Sequence, residues 1–485
     1  MSEAFTFLEK ALKILEDDQD RLGLIDDYYR GLHRLPYIPE GATAEYLLLA
    51  ERSVTHSGNF CQLLVNTPVQ ALYVDNFRRS QAKSMEVDVS PEWKSWQESR
   101  MDARQAGIYT AAIEYGHSFT LTERDSAGRI LTRGLSPLRT VTLYEDPSFD
   151  IDPAAAVYIK RWPGDLKRGL AIIWDEKYRH EVEFDKGDLK PTLKDRTSHG
   201  ANQCPVTRFT AHLDLEGRAW GVVEPMIGLQ DRFNQTVFDL LVAQTYTSFE
   251  VRTASGMAPP IQMKRTESGD LEPVLDDLGN PVPDRIYVNA SRFLYAEDPD
   301  VKFGSLPGGK LDGLISSAEL ALRHISAIGQ VPPHFLLGQI ANISAEALKA
   351  AELALSRKVD QYRSSFGESW ERVFRITVSL LGEGSQDDFL GEVIWRDTGI
   401  SSLAQSADAL GKFAENLGIP KRGLWPRVPN VSRQELNEWG KLLEEDDEAK
   451  AILSSTFGPL GTGTRTSSFG TEAGEGVANG DSAAS

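Results

Sequence analysis

Three features of this 485-residue sequence predict an α+β architecture, with helices placed before and after a single β-rich block. Helical spacing of apolar residues dominates positions 5 to 116. It gives way to a period of two between 117 and 210, and returns in a very long run that closes near Leu381.

Phe5, Leu8, Leu12, Leu15, Leu22 and Ile25 predict a helix ending at Gly31. A second helical block covers 44 to 83, with a short strand around Leu72–Arg78, and Trp93 to Gly116 reads as a further helix. Four runs alternate strand-like: Ser118–Thr122, Thr140–Tyr144, Val157–Arg161 and Gly169–Trp174. The charged piece Lys186 to Ser198 reads as an exposed loop. Pro225 suits the first turn of a helix running to Thr247, whose apolar face is Met226, Leu229, Phe233, Val237 and Leu240. A Gly/Pro-broken β stretch follows over 249 to 305, with Phe249–Arg252 and Arg285–Val288 as its strands, and then an amphipathic helix from Lys310 to Ile328.

Pro332 and Pro333 fix φ and remove two donors, so 331 to 343 reads as a loop. From Ser344, as N-cap, steps of three and four run through Leu348, Ala351, Leu355, Val359, Tyr362, Phe366, Trp370, Val373, Thr377 and Leu380. At 1.5 Å per residue that helix is on the order of 55 Å long, more than a small domain needs. Helices at Ser402–Leu417 and Ser432–Ile452 complete the folded part, and Ser432 with Glu435 fits a capping box. The Gly/Ser/Thr-rich end has little to bury and reads as disordered.

Hydrophobic content of 41% and charge of 25% are those of a soluble globular protein. No apolar run reaches the ~20 residues a membrane span needs, and the acidic start, with Glu3 and Glu9, is no signal peptide. Cys61 and Cys204 support neither a disulfide framework nor a thiolate metal site. A net charge of −19 disfavours tight DNA binding through many phosphate contacts.

Candidate chemistry is sparse. Gly304–Lys310 nearly fits a phosphate-binding G-x-x-x-x-G-K-[ST] loop, which would make the chain a nucleotide hydrolase. Leu311 supplies no hydroxyl for Mg²⁺ and Pro307 removes an N–H donor, so a hinge entering a helix explains the stretch better. Asp146 reads as a turn cap rather than a catalytic carboxylate. The histidines are scattered, with no metal-ligand spacing, and no cofactor is implied.

Several segments, in order, resemble one family, the portal proteins of tailed bacteriophages, in particular those of siphophages of actinobacteria and other Gram-positive hosts. The matching pieces are Tyr28–Gly31 with Leu35–Tyr37, Asn59–Arg78, Met101–Gln105 leading to Tyr115–Gly116, and Tyr144–Pro147. They continue with Gly221–Met226 through Leu229–Arg232, and with Ile343–Leu348 through Ser365–Glu371.

The resemblance implies a non-enzymatic ring of about twelve copies at one capsid vertex. The ring would carry double-stranded DNA in packaging and ejection, and would meet the terminase large subunit, the major capsid and scaffolding proteins and the head–tail connector. It implies assembly in the host cytoplasm, a place in the virion and no membrane contact. A shorter ring-forming head–tail adaptor is the structural alternative.

Carried onto this chain, the family's parts are an N-terminal wing (1–223), first stem helix (224–250), clip (251–304), second stem helix (305–330) and tunnel loop (331–343). The long wing helix and strand (344–396), a crown (397–455) and a disordered tail (456–485) follow. The tunnel-loop residues would be His334, Gln339 and Asn342, and the channel-facing stem residues Gln230, Asp231, Asn234 and Glu319. Trp370, Phe366 and Pro225 would be structural. The loop has no Lys or Arg, as a pore that must not hold phosphates requires.

Overall fold

The computed structural model describes residues 3–42, 44–56, 58–78, 90–164, 167–185, 191–247, 252–255, 261–266, 269–282, 284, 300–305, 311–338, 345–382, 389–396, 403–428, 431 and 433–457. These fall into two compact units, the first ending at Arg396 and the second within 403–457.

The first unit opens with α1 (Glu3–Arg30), α2 (Ala44–His56), α3 (Phe60–Gln70) and β1 (Val74–Arg78). The single helix expected over 93–116 is two, α4 (Pro91–Glu98) and α5 (Met101–Tyr115), because Arg100 between them takes a left-handed backbone with φ 55°. Strands β2 (His117–Arg124), β3 (Ile130–Leu135), β4 (Thr140–Leu143), β5 (Ala155–Arg161), β6 (Gly169–Trp174), β7 (Tyr178–Phe184), β8 (Thr192–Ser198) and β9 (Val206–Thr210) follow. They form two antiparallel sheets, ordered β3-β2-β9 and β4-β5-β6-β7-β8. The loop expected over Lys186–Ser198 is corrected in part: Thr192–Ser198 is the edge strand β8, exposed throughout, and 186–190 lie outside the described residues.

Period-two alternation explains how the five-stranded sheet is held. Val157, Ile159, Ala171, Ile173 and Val182 turn one face to Ala4, Leu8, Ala11 and Leu15 of α1. Ala156, Ile172 and Trp174 turn the other to Phe119, Leu121 and Val206 of the smaller sheet. Covered on both sides, β6 is buried along its whole length.

α6 (Ile227–Thr247) is entered through a 3₁₀ turn at Glu224–Met226, with Pro225 in its first positions. The β module after it contains β10 (Arg252–Ser255), β11 (Met263–Arg265), β12 (Leu271–Pro273) and β13 (Lys302–Ser305), paired β10–β13 and β11–β12. Of its expected strands only Arg252 is described; Phe249–Val251 and Arg285–Val288 lie outside the described residues. α7 (Asp312–Gly329) leads to α8 (Pro333–Leu337), and α9 (Ala345–Leu381) is the expected long helix, 37 residues in length. β14 (Glu392–Trp395) returns to pair antiparallel with β1.

The main core gathers α1, α3, α5, α6, α7 and α9 around Tyr28, Leu64, Tyr109, Phe366 and Trp370. Gly116 lets the chain close on it, since a Cβ there would sit 2.5 Å from the backbone of Trp220, and its φ of 96° suits glycine.

The second unit contains α10 (Leu403–Asn416), α11 (Lys421–Leu424) and α12 (Arg433–Phe457). Trp425 meets Trp439 edge-on at 5.9 Å, and Arg422 pairs with Glu444 at 3.2 Å. α12 outruns its expected end at Ile452 and enters the stretch read as tail. Positions 458–485 and Ser432 lie outside the described residues.

The helix pair and the segment behind it, a candidate functional site

α6 and α7 lie side by side, and α8 packs back on α7. Gln230 and Asn234 of α6 turn inward. Gln230 donates from Nε2 to the carbonyl of Gly58 at 3.0 Å and to Oδ1 of Asn234 at 2.8 Å, and its Oε1 accepts from the backbone N–H of Phe60 at 3.1 Å. Asp231 accepts the hydroxyl of Tyr28. Gln230 and Asn234 are each 1% exposed, and within the subunit Gln230 closes the seam between α6 and the start of α3. Glu319 on α7 is half-exposed and pairs with Arg323 at 3.5 Å.

The end of α7 is fastened at three points. Ser326 accepts at its carbonyl from the N–H of Val331 at 3.2 Å and donates its hydroxyl to the carbonyl of Val331 at 2.7 Å. Gly329 lies against Leu64, whose side chain would be 2.6 Å from any added Cβ. The ammonium of Lys358, on α9, donates to the carbonyl of Gly329 at 2.8 Å, placing a cation at the negative end of α7. Lys358 is buried, and desolvation lowers its pKa to about 8. One turn along α9, the hydroxyl of Tyr362 lies 3.4 Å from Nε2 of His212, whose ring stacks on Trp220.

The loop expected over 331–343 contains a helical turn, α8. Pro333 opens it rather than preventing it, because a first-turn residue needs no N–H partner, and the N–H of Gly338 closes it on the carbonyl of His334 at 3.0 Å. His334 is buried beside Phe335, the ring centroids 4.5 Å apart, while Phe335 is exposed. Gln339 and Asn342 lie outside the described residues. Gly304 and Ser305 of the near-match to a phosphate loop belong to β13, and 306–310 are likewise outside.

Trp370 and Phe366 are fully buried, Trp370 donating from Nε1 to the hydroxyl of Tyr109 at 2.8 Å. Asp146 caps its own turn through the N–H and hydroxyl of Ser148, which hold its carboxyl below the usual range. Cys61 and Cys204 are free and buried, burial pushing their thiols up to about 12 and about 11. Among the described residues no group of three His, Cys, Asp or Glu could hold a metal ion, and no helix is long and apolar enough to cross a membrane.

Lys358, Gly329 and His212 carry no sequence signal of this role, since their partners lie on distant elements.

A helix pair brackets a small β module, and one long helix ties its root to the α+β body. The chain belongs to the phage portal protein family of the SPP1 Gp6-like kind, whose model matches residues 8–450. It is 22% identical to the portal protein of Mycobacterium phage D29, over 94% of this chain and 90% of the relative. It is 24% identical to that of Mycobacterium phage L5, with the same coverage. Among solved structures it is loosely similar to a chain in the neck of an empty gene transfer agent particle (TM-score 0.41, 11% identity, 82% of this chain and 97% of that one). A chain in the virion of the native particle gives 0.40 and 12%, with the same coverage.

Proposed function

We propose that this portal-family chain forms a ring of about twelve copies at one capsid vertex and conducts double-stranded DNA without catalysing a reaction. α6 and α7 serve as the stem around the channel, and the β module between them as the clip that meets the terminase and later the head–tail connector. The 331–343 segment reaches toward the DNA from its root at Gly329, and α9 ties that root to the outer body. The helices after Asp397 form the crown. The ring is assembled in the host cytoplasm with the capsid and scaffolding proteins, and it remains in the virion.

The observation that carries this reading is the family match over residues 8–450. Physical support comes from charge: at −19 overall, with no Lys or Arg in 331–343, the chain offers few phosphate contacts to slow moving DNA. With Gln230 and Asn234 occupied internally, Glu319 is the described candidate for the channel wall. Negative-stain microscopy of purified protein should show rings with a central hole. A monodisperse monomer at every concentration would overturn the reading.

A further inference from the structure

We infer that the cleft between α1 and the two sheets binds a carboxylate carried on an apolar body, with the Arg208 guanidinium as its anchor. At about 1180 Å³, the cleft lies at the upper end of the size of small-molecule pockets. It adjoins a smaller hollow of about 530 Å³ that reaches Arg218 and Trp220. Asp18, His117, Arg208 and Gly217 line both. All of these residues belong to the first unit, and the site does not depend on ring assembly.

Strand register brings the polar groups together. Arg208 on β9 opposes Phe119 on β2, and His117, two residues before Phe119, shares that face. The His117 and Phe119 rings meet edge-on at 5.3 Å. Ser369 of α9 donates its hydroxyl to the carbonyl of Arg208 at 3.0 Å, which fixes the backbone that carries the guanidinium. In the smaller hollow Trp220 stacks on His212 and still leaves 41% of its surface open, an apolar wall within the same space as Arg208.

Arg208 is a half-buried cation without a counterion. Around it Asp18 pairs with Arg21 at 3.1 Å and Asp214 with Arg218 at 2.8 Å, while Arg21 also reaches Glu224 at 2.9 Å. The Arg208 guanidinium has no hydrogen-bond or ion-pair partner among the described residues, so its planar fork of donors is free. His117 is unbonded too: its Nδ1 is enclosed, which leaves Nε2 as the nitrogen that can meet a ligand. Burial first, and then Arg208 and Arg21, lower its pKa to about 3, so at neutral pH it offers a donor without adding charge. A carboxylate presents two oxygens that match the free fork. A doubly charged phosphate would set its second charge against Asp18 and Asp214 with no further free cation to meet it. In the wider part of the cleft, acids such as Glu3 and Glu176 stand among Lys10, Lys13 and Lys177 in near balance. The acidic head therefore belongs at Arg208, with the apolar body against Trp220.

Isothermal titration of the full chain tests this with two acids, phenylbutyrate and the blocked dipeptide acetyl-Asp-Phe-amide. Their neutral counterparts are phenylbutyramide and acetyl-Asn-Phe-amide. At least one acid should bind, and its neutral counterpart should bind about tenfold or more weakly. Binding of phenylbutyrate alone assigns the site to a free acid, and binding of the Asp dipeptide assigns it to an acidic side chain of a partner; both outcomes support the site. Arg208→Gln, with folding checked by circular dichroism, should lose the acid by about tenfold or more and bind acid and amide alike. Arg208→Lys keeps the charge without the fork and should recover part of that loss. Arg323→Gln, which removes the same charge from α7, should bind like wild type. The comparison of acid with amide needs no variant, so it decides the matter even if Arg208→Gln misfolds. Equal binding of acid and amide by wild type, binding of neither acid, or wild-type affinity in Arg208→Gln would overturn the site.

Discussion

The ammonium of Lys358 lies 2.8 Å from the carbonyl oxygen of Gly329, so a buried cation on the long helix α9 holds the last turn of α7. The contact joins the body of the subunit to the root of the segment that follows the helix pair. Its cost is desolvation, which lowers the Lys358 pKa from 10.5 to about 8. A base whose pKa is depressed on folding binds fewer protons folded than unfolded between those values. Stability therefore rises as pH goes from 8 to 10.5, by at most ~3 kcal/mol, and that gain is lost below pH 8. Lys358→Met removes the titrating group. The stability difference between wild type and variant, from urea melts, should shift toward wild type between pH 7.5 and pH 10. A constant difference would place Lys358 in water.

Glu114 titrates in the opposite sense. Burial first, and then Asp26, raise its carboxyl to about 8, although Tyr115 pulls it down. An acid raised on folding binds more protons folded than unfolded, so its contribution is fully present below its ordinary 4.5 and lost as pH rises through 8. The ceiling is about 5 kcal/mol for 3.5 pK units. Glu114→Gln should leave stability near wild type at pH 4.5 and exceed it at pH 8.5, measured by thermal melts at both. A variant no more stable than wild type at pH 8.5 would refute the buried acid.

Much of the architecture is legible from period alone. The stripe Val359, Tyr362, Phe366, Trp370 and Val373 marks the buried face of α9 because its spacing survives over many turns. β8 is not legible, because an edge strand exposed on every residue shows no alternation. Arg100 breaks a helix without the Gly or Pro that would announce it. α8 hides behind Pro332 and Pro333, residues that read equally as stop and as start. The site is less legible than the fold. Gln230 sits in sequence like a surface polar residue, yet its partners Gly58 and Phe60 lie 172 and 170 positions away. Lys358 follows Arg357 as if both were solvated. Burial of a polar group is decided by what packs over it, and spacing along one helix carries no record of that.

Arg372 gives a third prediction. Its guanidinium is buried and donates to the carbonyl of Val206 at 2.7 Å, the hydroxyl of Thr207 at 2.8 Å and the carbonyl of Cys204 at 3.0 Å, and it also pairs with Asp152. These bonds tie α9 to β9 and the segment leading into it. Arg372→Met leaves the acceptors without donors and should cost about 3–5 kcal/mol. Arg372→Lys keeps the charge but lacks the planar fork that spans three acceptors, so it should recover only part of the loss in chemical denaturation. Wild-type stability in Arg372→Lys would show that the charge, and not the fork, is what matters.

Trp370 links the core to assembly. Its ring is fully buried, edge-on to Trp96 at 4.8 Å and to Phe209 at 4.7 Å, and its Nε1 donates to Tyr109 at 2.8 Å. Trp370→Ala removes the ring and should cost about 3–5 kcal/mol. Trp370→Phe keeps most of the volume but leaves the Tyr109 hydroxyl without its donor, which should cost about 1–3 kcal/mol. Because α9 carries Trp370 and Lys358 on one rigid helix, loosening the core should release the root of α7 as well. Ring yield on microscopy grids should therefore fall in the order wild type, Trp370→Phe, Trp370→Ala, in step with the thermal midpoints. Wild-type ring yield from Trp370→Ala at a lowered midpoint would show that assembly does not depend on this core.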